Sequence, residues 1–248
     1  MRYVFILIIA IFFNCKGLNA QNVSAQEIIN RSIEVSGANK VGSSEIIFDF
    51  RKVHYSATRK DGMFELKRTF QQDSKEIQDK LSNNGFKRMI NKKLTELSET
   101  MKARLSASVN SVHYFSVLPY GLNANAVKKN YLIKTKIKDS LYYAIKVTFA
   151  EEGGGEDFED VFIYWVNEDT FKINYIAYSY EEASGQGMRF REAYNERYVN
   201  GIRFVDYNNY KPRSNSVKLL DLANLFELNE LEMVSKIELK NVVVNPLE

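Results

Sequence analysis

Three Asx-Gly pairs, Asp61-Gly62, Asn84-Gly85 and Asn200-Gly201, each stand between segments with the two-residue periodicity of β-strands. Such pairs accept the positive backbone angles of a tight hairpin turn, so each joins two antiparallel neighbours. The alternation is plainest where Ile46, Phe48 and Phe50 interleave with Ile47, Asp49 and Arg51, and where Tyr143, Ile145, Val147 and Phe149 interleave with Ala144, Lys146 and Thr148. Residues 63–70, 76–81, 86–90, 188–198, 202–210 and 235–244 read as further strands. Residues 161–166 and 175–180 are apolar on both faces, and strands of that kind need cover on both sides.

Helical signals are few. Ser24 with Glu27 three residues later is a capping box, Ile28, Ile29 and Ile33 form an apolar side, and Gly37 ends the segment. A longer helix is expected at residues 94–115, where Leu97, Met101, Leu105, Val109 and Val112 make one stripe before Pro119 and Gly121. A short polar helix at 125–129 and another short one at 220–228 complete the list. The fold class is therefore α+β: a curved antiparallel sheet, a half-barrel of about ten strands, wrapped around one long amphipathic helix. The order of elements speaks against a (β/α)₈ barrel and the enzymes built on it.

Residues 1–20 read as an export signal. Arg2 provides a positive start and residues 3–13 an apolar run, about half the ~20 residues a membrane-spanning helix needs. Cleavage after Ala20, behind Leu18-Asn19, is the favoured processing site; the alternative is Cys15, as the acylated cysteine of a lipoprotein. The expected organisation is thus a signal peptide at 1–20 and a single half-barrel domain at 21–248, in the periplasm or secreted, or else attached to the outer membrane through Cys15. Cys15 is the sole cysteine, so removal of the leader leaves no thiol, and thiol catalysis and zinc-thiolate sites are excluded. Arg2 and Lys16 are the only charged residues of the leader, and their loss lowers the net charge from +3 to +1. A near-neutral chain gives no electrostatic reason to expect nucleic acid as a partner.

Several segments resemble a family of Bacteroidetes envelope proteins of unknown function, secreted or lipidated. They are Phe48-Asp49-Phe50-Arg51 with His54-Tyr55, and Ser111-Val112-His113-Tyr114-Phe115 running through Leu118-Pro119-Tyr120-Gly121-Leu122. Gly153-Gly154-Gly155-Glu156-Asp157 through Tyr164-Trp165, Met188-Arg189-Phe190-Arg191-Glu192-Ala193-Tyr194-Asn195 and Gly201-Ile202-Arg203-Phe204-Val205-Asp206-Tyr207 extend the likeness over nearly the whole chain after the leader. More distantly, the element order is similar to the periplasmic lipoprotein-carrier half-barrel of the LolA/LolB type. That resemblance implies acyl chains held between sheet and helices, and it brings no catalytic residues.

The candidate site follows from the surplus of apolar strand faces. Phe48, Phe50, Ile145, Val147, Phe162 and Tyr164 are expected to line the half-barrel, facing Met101, Leu105 and Phe115 of the long helix. Either a groove remains between them or the helix fills the concavity; the sequence leaves both open. Arg189 and Arg191 share a strand face, with Arg203 across the Asn200-Gly201 turn, and their forked guanidinium groups suit an anionic head group. Cross-strand ion pairs with Glu192, Glu196 or Asp206 are the simpler use of those arginines.

Other constellations point to ordinary structure. Residues 151–160 carry six carboxylates and three glycines, but their spacing matches no EF-hand, and a solvated hairpin loop explains them. His54 and His113 stand on different elements and are read as packed, hydrogen-bonded side chains rather than a base or metal pair. No Gly-x-Ser-x-Gly elbow occurs. The expectation is a non-enzymatic binder of a lipid or of a lipoprotein acyl chain, with no catalytic residue, metal or cofactor. The alternative is an envelope interaction module presenting Tyr178, Tyr180, Tyr207 and Tyr210 to another protein; a hydrolase of envelope material ranks below both.

Overall fold

A computed structural model describes residues 23–153, 158–182, 185–214 and 216–248. The leader with Cys15, and residues 154–157 of the acidic loop, lie outside the described residues. The chain opens with α1 (Ala25–Val35), capped as its sequence requires: the Glu27 amide donates to Ser24 Oγ at 3.2 Å and the Ser24 amide to Glu27 Oε2 at 2.9 Å. A 3₁₀ segment (Ala38–Ser43) leads into six successive strands, β1 (Ser44–Phe50), β2 (Val53–Lys60), β3 (Met63–Gln72), β4 (Lys75–Ser82), β5 (Gly85–Ile90) and β6 (Lys93–Thr95). Then come α2 (Glu99–Ser116) and a second meander, β7 (Val127–Ile137), β8 (Ser140–Phe149), β9 (Val161–Asn167), β10 (Ile173–Glu182), β11 (Gly185–Val199) and β12 (Ile202–Lys211). After α3 (Leu222–Glu227) the chain ends in β13 (Glu232–Ile237) and β14 (Leu239–Pro246).

These strands form two antiparallel sheets of seven, ordered β14-β1-β2-β3-β4-β5-β6 and β13-β12-β11-β10-β9-β8-β7. Only Glu238 separates β13 from β14, so one extended segment passes from the second sheet to the first. Asp206 fixes that crossing from inside. Its carboxylate, 3% exposed, accepts from the Leu239 amide at 3.0 Å and from Asn195 Nδ2 at 2.6 Å, while the Arg197 guanidinium lies 3.1 Å away and itself donates to the Leu239 carbonyl.

The sheet is thus larger than the expected ten strands, and it is two sheets sharing a terminal segment. One added strand, β2, is central and pairs with both β1 and β3; the physical reason for the others lies in the edges. β6 and β7 close the outer edges of the two sheets, and β7 carries Lys128, Lys129, Lys134 and Lys136 with most of its residues exposed. A charged edge protects against pairing with other chains, and it erases the apolar alternation by which a strand is recognised. The polar helix expected at 125–129 is replaced by the start of this strand. Among the described residues the other three expected helices are present as α1, α2 and α3, and α2 begins at Glu99 instead of residue 94, capped by Ser98, whose Oγ accepts from the Met101 amide.

Two glycines meet where α1 ends. Gly37 has φ +61°, and a Cβ built on it would stand 1.8 Å from the Gly201 carbonyl oxygen of the β11–β12 turn. Both residues of that turn, Asn200 and Gly201, have positive φ, as do Asp61 and Gly62, which is the backbone the Asx-Gly pairs require. The Arg203 amide donates to the Ser36 carbonyl at 2.9 Å, fastening α1 to the second sheet.

Both faces of the second sheet are covered, as its two-faced apolar strands demand. On one face Ile28 and Ile29 of α1 pack with Leu118, Leu122, Ile145, Val147, Tyr164 and Ile176. On the other, Leu222 and Ala223 of α3 pack with Ala144, Ile163, Trp165, Ala177 and Phe190. α2 touches β3, β4 and β5 of the first sheet, and its Tyr114 and Phe115 rings reach Phe162 and Tyr178 of the second. It therefore lies in the trough between the sheets.

Candidate ligand cavity

The trough is not filled. Beside α2 lies a cavity of about 450 Å³, within the roughly 300–1,000 Å³ common for small-ligand sites. One wall is α2, through Ala107, Ser108, Ser111, Val112 and Phe115; small residues on this helix face leave the space open. The opposite wall is the second sheet, through Tyr178, Tyr180, Arg191, Val205 and Tyr207. Phe50, Ile237 and Leu239 close it where the sheets join. Glu159, Asp160 and Glu181 stand at its acidic side.

Arg191 supplies the only positive charge among the described lining residues. It is 8% exposed, its Cζ lies 3.8 Å from the Phe115 ring centre and 5.0 Å from that of Tyr178, and its Nη2 donates to the Tyr178 hydroxyl at 2.7 Å. The aromatic faces offset part of the cost of burying a cation. Its Nε–H finds no acceptor among the described residues, so a buried donor stands ready for a carbonyl or carboxylate oxygen.

α2 is held in place by polar groups on the first sheet. Asp79, wholly buried, receives Arg88 Nε at 2.6 Å and Arg68 Nε at 2.7 Å, and Arg68 Nη1 donates to Ser108 Oγ at 2.7 Å. On the neighbouring turn of the helix, His113 is 1% exposed, packs edge-on against Phe48 and Tyr55, and meets the Lys67 carbonyl with Nε2 at 3.0 Å. Burial lowers its pKa to about 3, so it is a neutral imidazole whose Nε2–H donates. On the sheet-facing side toward α1, the Tyr114 and Tyr164 hydroxyls meet at 2.5 Å, and burial pushes both phenols well above their usual pKa.

Of the residues named from the sequence, Phe50, Phe115 and Arg191 line the cavity. Phe162, 6% exposed, stacks on Tyr178 and so backs the cavity wall. Phe48, Ile145, Val147 and Tyr164 are core residues with no exposure. Met101 is 36% exposed and Leu105 half-buried on the outer part of α2, away from the lining set. Arg189 lies over the Tyr180 ring at 5.2 Å. Arg203 is turned to structural use: Nε donates to Glu196 at 2.6 Å and Nη1 to the Ile173 carbonyl at 3.1 Å. The three arginines therefore do not converge.

His54 and His113 do not meet, since His54 points outward from β2 to Asp49, 2.7 Å away, while the adjacent Tyr55 faces His113. The tyrosines expected at an exposed interaction face are also placed differently. Tyr207 is 4% exposed, Tyr178 and Tyr180 turn towards the cavity, and Tyr210 packs on Phe226. Among the described residues no helix is long and apolar enough to cross a membrane, and no group of three or more His, Cys, Asp or Glu side chains is arranged to hold a metal.

Comparison with curated proteins finds no match. Among solved structures the chain is similar to a LolA superfamily protein from Nitrosomonas europaea, with 10% identity, a TM-score of 0.49, and 91% of this chain and 94% of that one covered. It is similar to a DUF1329 family protein from Desulfovibrio piger, with 10% identity, TM-score 0.45 and coverage of 89% and 92%. A third is a "putative outer membrane lipoprotein-sorting protein domain" from Vibrio parahaemolyticus, with 8% identity, TM-score 0.43 and coverage of 82% and 99%. The sequence profile described as "Family of unknown function (DUF6503)" matches residues 2–239, nearly the whole chain, and the protein belongs to that family.

Proposed function

We propose that this protein binds an acyl chain, of a lipid or an acylated protein, in the cavity between α2 and the second sheet. The observation that carries the reading is the pairing of an unfilled cavity of about 450 Å³, apolar along Phe50, Val112, Phe115, Val205 and Leu239, with one buried donor, Arg191 Nε, that lacks an acceptor. The chain buries its methylenes against Phe50, Phe115, Val205 and Leu239, and apolar burial drives binding. Its ester carbonyl or carboxylate accepts from Arg191, which fixes the orientation. The acidic side at Glu159, Asp160 and Glu181 is the polar boundary of the site, and it favours a neutral ester over a free anion there.

The setting we infer is the cell envelope. Residues 1–20 act as the export signal of a half-barrel domain at 21–248, and the protein is periplasmic or secreted, with acylation at Cys15 as the route to a membrane-attached form. A second envelope protein, as donor or acceptor of the acylated cargo, is the partner this reading implies.

Titration with a fluorescent long-chain fatty acyl ester tests the cavity. Saturable binding that Ser111→Trp weakens at least tenfold, with an unchanged melting temperature, is the expected result, because the indole fills space that side chains leave free. Equal binding by wild type and Ser111→Trp would place the ligand elsewhere.

A further inference from the structure

A second recess lies on the other flank of α2. Its volume is about 220 Å³, and its walls include Met63, Phe64 and Leu66 of β3 and Val117 and Tyr120 beyond the helix. Arg59 lines it too. On β2 the inward positions are Tyr55, Ala57 and Arg59, so the strand's period places a cation where the two preceding inward residues are core.

Arg59 is 7% exposed, and its Nη1 is buried without a partner. Among the described residues no hydrogen bond or ion pair reaches its guanidinium; the Tyr120 ring, 5.4 Å from Cζ, is the aromatic face beside it. Burial lowers its pKa from the ordinary value, and Tyr120 opposes that shift. An arginine stays charged in such surroundings, and a buried charge without a counter-ion is costly. The contrast with Arg68 and Arg88, which share Asp79 on the same sheet, shows how this chain pairs inward arginines when their role is structural.

We infer that the Arg59 recess is a binding site for a small carboxylate with a short apolar body, separate from the acyl cavity. The forked guanidinium takes the carboxylate bidentately, replacing the missing counter-ion. Met63, Phe64, Leu66 and Val117 then cover the apolar part, which is why a carboxylate with a short chain fits better than a bare, strongly hydrated anion.

The test uses hexanoate, hexanol and inorganic phosphate as calorimetric probes, with the protein carrying Ser111→Trp so that the larger cavity is closed. Hexanoate is expected to bind saturably and raise the melting temperature, with hexanol and phosphate at least tenfold weaker. Adding Arg59→Met is expected to reduce hexanoate binding at least tenfold while leaving the melting temperature of the unliganded protein unchanged or higher. Arg59→Lys keeps the charge but not the fork and is expected to fall between. Absence of saturable hexanoate binding, equal binding by Arg59→Met, or phosphate binding as well as hexanoate would overturn the proposal. Because the acyl cavity is closed throughout, these outcomes do not depend on whether that cavity holds a lipid.

Discussion

Arg191 holds its Cζ 3.8 Å from the ring centre of Phe115, so a cation from β11 and an aromatic ring from α2 touch at one side of the cavity they both line. Two long-range elements are thereby tied together at the point where ligand is proposed to bind. Arg191→Met keeps much of the apolar stem and removes the donor. Acyl-probe affinity is expected to fall about ten- to a hundredfold, the worth of one charge-assisted hydrogen bond. A fluorescence titration of wild type and Arg191→Met side by side checks that loss, and calorimetry in the Ser111→Trp background is expected to show hexanoate binding at Arg59 unchanged by Arg191→Met.

His113 gives the protein an acid sensitivity of its own. Its pKa is lowered to about 3 when folded, from an ordinary 6.5, chiefly by burial. Between those values the unfolded chain binds the proton and the folded one does not. Stability is therefore fully present above pH 6.5 and is lost as pH falls towards 3, at about 1.4 kcal/mol per pH unit from this group. Urea denaturation between pH 6.5 and 5, largely above the range where ordinary carboxylates titrate, is expected to show the slope rise from about half that value to nearly all of it. His113→Gln, which keeps a donor for the Lys67 carbonyl, removes most of it.

Gly37→Ala should destabilise the fold by about 2–4 kcal/mol, from a left-handed backbone carrying a Cβ and from the backbone shift that the Gly201 carbonyl forces. The loss would be read as a lower denaturation midpoint with an unchanged slope. Gly62→Ala makes the matching control: its φ is +78°, yet a Cβ there meets nothing within 4 Å, so only the backbone part of the cost remains.

Asp79→Ala leaves Arg68 and Arg88 facing each other without their shared carboxylate. About 3 kcal/mol of stability is expected to be lost, the lower end for a broken buried pair because both arginines retain some access to solvent. Arg68 also holds Ser108 on α2, so hydrogen exchange in the middle of that helix is expected to quicken more than in α3.

The sequence made most of the meander legible through strands with one wet and one dry face or an Asx-Gly turn, but it missed β2, whose inward residues Tyr55, Ala57 and Arg59 form a weak apolar stripe. It made the capping box of α1 legible because that motif is closed within four residues. β7 escaped notice because an exposed, lysine-rich edge has no dry face to reveal it, and the final strand appeared undivided because its change of sheet at Glu238 is a tertiary event. On α2 the apolar stripe suggested that Met101 and Leu105 face inward. Of the stripe only Val109 is wholly buried, while Ser108 and Ser111 face the cavity, since an open cavity selects for small residues rather than large ones. Arg191 was visible as one of two arginines on a strand face, but its separation from Arg203 depends on Glu196 and the Ile173 carbonyl, which no local pattern reports. Arg59 carried no signal beyond its parity on β2.

Native mass spectrometry on the protein exported by a Gram-negative host and purified gently is the most direct measurement. An added lipid mass that organic solvent removes, present in wild type and absent in Ser111→Trp, is the predicted result. A bare mass that stays bare after incubation with lipid vesicles would contradict the acyl-binding account.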